Sequence, residues 1–142
     1  MLKHLLPILV LLGSGCSTFH GKWKDAAARP IPSDDISGPW DGRWVSGKNG
    51  HTGRLRCVMT PAGEGKYLAH FHATYWKILR VAYEVPFTAT NQGPQFSFSG
   101  TSDLGKLAGG TYTYEGTATP SQFDATYRCK YDHGRFEMKR PE

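Results

Sequence analysis

Leucine, isoleucine and valine are scarce in this chain after its first 15 positions, cysteine occurs only 3 times, and no block of like charges appears in its 142 residues. Each shortage excludes something. Few aliphatic residues, with aromatics, Thr and Gly in their place, argue against a helical bundle. No apolar run reaches the roughly 20 residues that a helix needs to cross a bilayer. Scattered charge leaves no basic or acidic arm of the kind that engages nucleic acid. The length itself supports one small domain, so a dinucleotide-binding fold, a TIM barrel or a multidomain enzyme would need more chain. What is plentiful is Gly (17), Pro (9) and aromatic residues (13%), the composition of many turns around a ring-filled β interior.

The one apolar run lies at the start. Lys3 precedes Leu5 to Leu12 (LLPILVLL), then come Gly13-Ser14-Gly15 and Cys16. A core of about ten apolar residues has the length of a secretory h-region. Leu12-Gly13-Ser14-Gly15-Cys16 resembles the lipobox of bacterial lipoprotein signal peptides, with Gly13 where Leu is usual. The resemblance covers residues 1–16. It implies cleavage before Cys16, a diacylglycerol thioether on its sulfur and an acylated α-amine. Ser17 at the next position resembles the signal that sorts such proteins to the outer membrane. The expectation is an exported protein anchored at the periplasmic face of that membrane. The alternative is an ordinary secreted protein with a chance Cys. Without Lys3 the 17 basic side chains become 16, against 12 acidic ones, a weak net charge of +4. The expected partners are the membrane, through the anchor, and an envelope protein or small ligand, not nucleic acid.

With Cys16 assigned to lipid, Cys57 and Cys129 remain in an oxidising compartment. Both lie on the apolar parity of their strands, in Leu55-Cys57-Met59 and Tyr127-Cys129-Tyr131. A disulfide between them is expected, and closing that loop would stabilise by about 4 kcal/mol on the chain-entropy model. The alternative is two inert buried thiols.

Residues 16–36 show no sustained period and contain two Pro and two consecutive Asp, which predicts a lipidated Cys on a flexible tether. From 37 to 142 nearly every segment alternates with period two, the mark of strands half buried on one face. Eight strands are predicted: Arg43–Ser46, Arg54–Thr60, Lys66–Trp76, Arg80–Thr90, Gln95–Thr101, Gly110–Ala118, Gln122–Tyr131 and Arg135–Lys139. Turn residues such as Lys48-Asn49-Gly50 and Asp132-His133-Gly134 separate them. The fold class is all-β, an antiparallel up-and-down meander closing into an eight-stranded barrel. The alternative is an immunoglobulin-like sandwich, because Tyr127-Arg128-Cys129 resembles its Tyr-x-Cys. Pro86 inside the fourth strand marks a bulge or local break. Phe71-His72-Ala73-Thr74-Tyr75 recurs as Phe123-Asp124-Ala125-Thr126-Tyr127, one packing solution used twice.

The inward parity collects Trp44, Leu55, Met59, Phe71, Tyr75, Tyr83, Phe87, Phe98, Tyr112, Tyr114, Phe123, Tyr127 and Phe136 among others. Buried phenols need partners, which places the tyrosines toward a wet mouth. Gly42-Arg43-Trp44 is similar to the Gly-x-Trp of calycin barrels (lipocalin-like or avidin-like), and that resemblance implies a small ligand in the mouth. Trp76-Lys77-Ile78-Leu79 joins two strands without Gly, Pro or Asn. It reads either as a plug folded over the barrel end or as an exposed contact. Trp76, Ile78, Leu79, Tyr112 and Tyr114 are therefore the candidate ligand or partner contacts.

Catalytic constellations fail one by one. Gly100-Thr101-Ser102-Asp103-Leu104-Gly105-Lys106 approaches a P-loop, but Leu107 stands where Ser or Thr must meet magnesium. No nucleophile elbow occurs in the domain, and the inward cysteines offer no reactive thiolate. His70 and His72, two apart on one strand, face one side with the spacing of metal ligands, and His51 or His133 would have to complete the set. No catalytic residue and no cofactor is expected. The expected function is a non-enzymatic binding or scaffolding module. The alternatives are an inhibitor or accessory subunit docking a periplasmic protein through Trp76–Leu79, and a metal-dependent enzyme using His70 and His72.

Overall fold

The alternating segments become eight antiparallel strands: β1 (Gly38–Ser46), β2 (Thr52–Pro61), β3 (Lys66–Tyr75), β4 (Leu79–Gln92), β5 (Gln95–Asp103), β6 (Thr111–Ala118), β7 (Gln122–Arg128) and β8 (His133–Lys139). Each pairs with its sequence neighbour, and β1 closes the ring against β8 through Asp41–Ser46 and Gly134–Lys139. The fold is a closed barrel, not a sandwich. The structure, a computed structural model, describes residues 18–142. The export signal and Cys16 lie outside the described residues.

The up-and-down order gives the barrel two ends. At one, the connections 62–65, 93–94 and 119–121 are short. There the interior is apolar and fully packed, with Trp40, Phe123, Met59, Val85 and Phe87 essentially without exposure. Glycines make room for the rings. A Cβ on Gly116 would lie 2.6 Å from Phe98 Cζ and 2.4 Å from the Asp124 carbonyl oxygen. Arg140 closes this end from outside the ladder. Its guanidinium lies 4.0 Å from the centre of the Trp40 ring and donates to the carbonyls of Asp35, Ser37, Pro39 and Pro120. Burial pushes the Arg140 guanidinium down to about 10. Tyr67 donates to the Asp35 carboxylate, which ties the incoming segment to β3.

The repeated Phe-x-Ala-x-Tyr ladder falls on β3 and β7, four strands apart in a ring of eight. Each copy starts with a deep Phe and ends with a Tyr at the opposite end, so two facing walls carry one gradient from apolar to hydroxylated.

Three expectations need correction. The segment expected as a flexible tether is helical over residues 18–27 (α1), and Phe19 is buried. The helix packs on the outer wall: the Phe19 ring stacks on His72 at 5.1 Å, and the Arg56 guanidinium sits 5.6 Å from Phe19 and 5.2 Å from Trp23. Phe19 and Trp23 share a face at the i, i+4 spacing of a helix, while the wall that they cover is polar by composition. The disulfide is absent, and Cys57 and Cys129 are both free. Cys57 pairs with Trp40 and Phe71, deep in the packed half. Cys129 lies past the end of β7 at the other end, where its N–H donates to the Asp132 carbonyl at 2.8 Å. Parity aimed both thiols inward, but they sit at different heights, and a disulfide needs Cα atoms within about 7 Å. Third, β7 stops at Arg128 rather than at Tyr131, because that turn brings Cys129 and Asp132 together.

A tyrosine-lined mouth and its rim as the candidate functional site

Inward-facing residues lose their apolar character toward the end that carries the connections 47–51, 76–78, 104–110 and 129–132. Tyr75, Tyr83, Tyr112, Tyr114 and Tyr127 converge there, with Tyr112 6.2 Å from both Tyr114 and Tyr127 between ring centres. Trp44 packs 4.8 Å from Tyr75 and donates its indole N–H to the Thr74 carbonyl at 3.0 Å. Most of the hydroxyls are spoken for. Tyr114 pairs with Ser102 at 2.9 Å, Tyr112 donates to the Ala108 carbonyl at 2.8 Å, and Tyr127 donates to Asp132 at 2.9 Å. Asp132 also accepts from Ser46 Oγ at 2.6 Å and from the His133 N–H at 2.8 Å. The carboxylate at the mouth is thus taken up by its own turn. The Tyr75 hydroxyl has no hydrogen-bond partner among the described residues.

Burial lifts every one of these phenols above its ordinary value of 10. Tyr75 and Tyr114 rise to about 12, and Tyr83, Tyr112 and Tyr127 rise as well. All five are therefore neutral donors and acceptors at ordinary pH, and the phenol lining of the mouth is polar without being charged.

The wall of the mouth is open on one side. The β4–β5 ladder runs only from Phe87–Gly100 to Gln92–Gln95, whereas β4 pairs with β3 all the way from Thr88 to Leu79. Residues 79–86 of β4 therefore have a partner strand on one side alone. The break falls at Pro86, which has no N–H to give to a ladder. Above it the inward residues Val81, Tyr83, Tyr75 and Tyr112 are half-exposed, while Val85 and Phe87 just below are buried.

Around the mouth stand large apolar side chains in full view of solvent. Trp76 is 75% and Ile78 85% exposed, and Leu79, Leu107 and Tyr131 are exposed with them. The Trp76–Leu79 segment does not fold back as a plug. It is a three-residue connection closed by a β-turn in which the Ile78 N–H donates to the Tyr75 carbonyl at 3.2 Å. Trp76 and Lys77 occupy its central positions with φ of 50° and 66°. Such turns ordinarily take Asn and Gly, and a non-Gly residue in this region carries strain of about 1–3 kcal/mol.

The sequence-derived site residues thus divide. Tyr112 and Tyr114 line the mouth, Trp76, Ile78 and Leu79 stand on its rim, and both groups share one end. Tyr75, Tyr83 and Tyr127 belong with them and were legible as inward parity near strand ends. His70 and His72 are elsewhere. They face outward on one side of β3, as their spacing requires, but beneath α1. His70 Nδ1 lies 3.1 Å from Glu84 Oε1. His72 is ringed by Arg56, Arg54, Arg80 and His20, and burial together with these neighbours pushes it down to about 4. His51 and His133 sit at the open end, not beside them. Among the described residues no group of three or more His, Cys, Asp or Glu is placed to hold a metal ion.

No family model, curated protein or solved structure matches the chain.

Proposed function

We propose that this chain is a lipid-anchored cell-envelope protein, attached through Cys16, that acts without catalysis by binding a small uncharged ligand in the tyrosine-lined mouth. The supporting observation is the gap in the wall. The barrel is packed solid at one end, yet at the other the β4–β5 ladder stops and the inward Val81, Tyr83, Tyr75 and Tyr112 keep access to solvent. A small barrel holds either its own side chains or one small ligand, and with buried rings below Val85 the half-buried residues above it are the place for the second. Rings on several sides and a free Tyr75 hydroxyl suit a flat or amphipathic molecule with one hydrogen-bonding group. A permanent charge would find no counter-charge among the phenols that line the mouth, since the lysines stand outside on the rim connections and Asp132 is hydrogen-bonded within its own turn.

The lipobox-like segment supports an anchor. Several acyl chains make such attachment stable, because each buried methylene contributes about 0.8 kcal/mol.

Native mass spectrometry of detergent-extracted protein from its own cells tests the ligand reading. A bound small molecule is expected, and Val81→Trp, which fills the gap, is expected to remove it. Ligand-free protein, or a ligand that survives Val81→Trp, overturns the reading. Cell fractionation with a high-salt wash, which strips electrostatic contacts, tests the anchor: Cys16→Ser is expected to leave the washed membrane fraction, and full retention there overturns it.

A further inference from the structure

The four connections at the open end share a composition that their opposite numbers lack. Each carries one exposed lysine: Lys48 in 47–51, Lys77 in 76–78, Lys106 in 104–110 and Lys130 in 129–132. Three of the four also carry exposed large apolar residues, with Trp76 and Ile78, Leu107, and Tyr131. The acids at this end are occupied. Asp132 serves its turn, and Asp103 accepts from the Gly105 N–H at 2.9 Å. Lys48 also donates to the Tyr131 carbonyl at 3.1 Å, which ties two of the loops into one rim. The connections at the packed end hold no lysine and no large apolar residue, only small and turn residues with Glu64.

A ring of lysines around projecting Trp, Ile, Leu and Tyr is the chemistry of an interfacial membrane contact. The ammonium groups meet anionic headgroups, and the apolar groups enter the boundary between headgroup and acyl chain. A protein-docking patch would be depleted of lysine at its centre instead. The direction of the chain fits as well. Phe19, one residue past the first described position, packs on His72, which lies three residues before the end of β3, roughly 10 Å short of the rim. From there α1 leads away toward Asp35 and Tyr67 at the packed end. Within the described residues, α1 therefore starts nearer the rim than it ends.

We infer that the open end of the barrel is a docking face for an anionic phospholipid surface, with Trp76, Ile78 and Leu107 inserted and the four lysines on headgroups. The inference rests on the proposed anchor only for which bilayer lies within reach. The rim itself needs no acyl chain, and this separates the two experimentally.

The test uses the full chain carrying Cys16→Ser, so that no lipid modification contributes. Vesicles of phosphatidylglycerol and phosphatidylethanolamine are compared with vesicles of phosphatidylcholine in a flotation assay. Anionic vesicles are expected to bind, salt to weaken the binding, and Trp fluorescence to shift to the blue. Each Lys→Gln change in the rim is expected to weaken binding about fivefold. Trp76→Ser is expected to abolish the blue shift, because Trp40 and Trp44 are buried in the barrel and Trp23 is held on the outer wall against Arg56. These rim positions are exposed, so the variants fold, and unchanged far-UV circular dichroism checks that they do. Equal binding to both vesicle types, or binding indifferent to the lysine and Trp76 changes, overturns the inference. So does a vesicle-independent dimer that Trp76→Ser disperses, which would assign the rim to a second copy of the chain.

Discussion

The two ends of the barrel are built from the same strands and could hardly differ more. At the packed end rings meet rings, and the half-buried guanidinium of Arg140 donates to four carbonyls while lying on Trp40. At the open end the rings carry hydroxyls, one wall has lost its partner strand, and strained residues hold apolar groups in water. The packed end is what the fold needs in order to exist. The open end departs from each rule that the packed end obeys, and such departures collect where a protein works rather than where it is merely stable.

Removing a ring from each end sharpens this contrast and has the largest expected effect. Trp40 has no exposure, touches Phe123 at 5.5 Å and donates to the Ile36 carbonyl at 3.0 Å. Trp40→Ala is expected to lower unfolding free energy by about 3–5 kcal/mol. Tyr112→Ala, at a half-exposed position in the mouth, is expected to lose less than ~2 kcal/mol. Urea denaturation measures both. Equal losses would mean that the mouth is as much a part of the core as the packed end is.

The outer wall supplies the next contrast, between a face covered by α1 and the bare faces elsewhere. His72 is buried against Phe19 and held down to about 4, first by burial and then by Arg56, His20, Arg80 and Arg54. His70 is lowered by burial, with Glu84 working the other way and Lys22 adding to the depression. Docking of α1 therefore keeps His72 neutral where a free histidine, at 6.5, would already bind a proton. Its contribution is complete above pH 6.5 and is lost progressively as the pH falls toward 4. Amide hydrogen exchange in residues 18–27 is expected to speed up over that window. His72→Phe is expected to flatten the dependence while keeping the ring stack, and an unaltered slope in that variant would remove His72 from the account.

These regions also differ in how much of them the sequence alone reveals. Strands with one wet face alternate strictly, so all eight were legible, along with most of the interior set and the drift of tyrosines to one end. Trp40 fell before the expected start of the first strand, and Tyr131, which parity turned inward, is exposed. Parity reports which face a side chain takes but not how far along the barrel it sits. That is why Cys57 and Cys129 read as a pair and are not one. The helix at 18–27 escaped because the wall that it covers is made of Arg56, His70 and His72. Ring stacking and cation–π contact leave no apolar period to detect. The gap beside β4 depends on register between strands, of which Pro86 was the single local hint.

The smallest expected effect lies in the turn at the rim, and it runs opposite to the others. Trp76 and Lys77 sit at φ values that Asn and Gly adopt far more easily. The double change Trp76→Asn, Lys77→Gly is therefore expected to stabilise the barrel by about 1 kcal/mol in urea denaturation, while binding to anionic vesicles falls. A change that improves the fold and impairs the contact would mean that Trp76 and Lys77 are held in place for what they touch. If stability does not rise, the turn is not strained by its residues, and the exposed rim loses one of the departures that set it apart from the packed end.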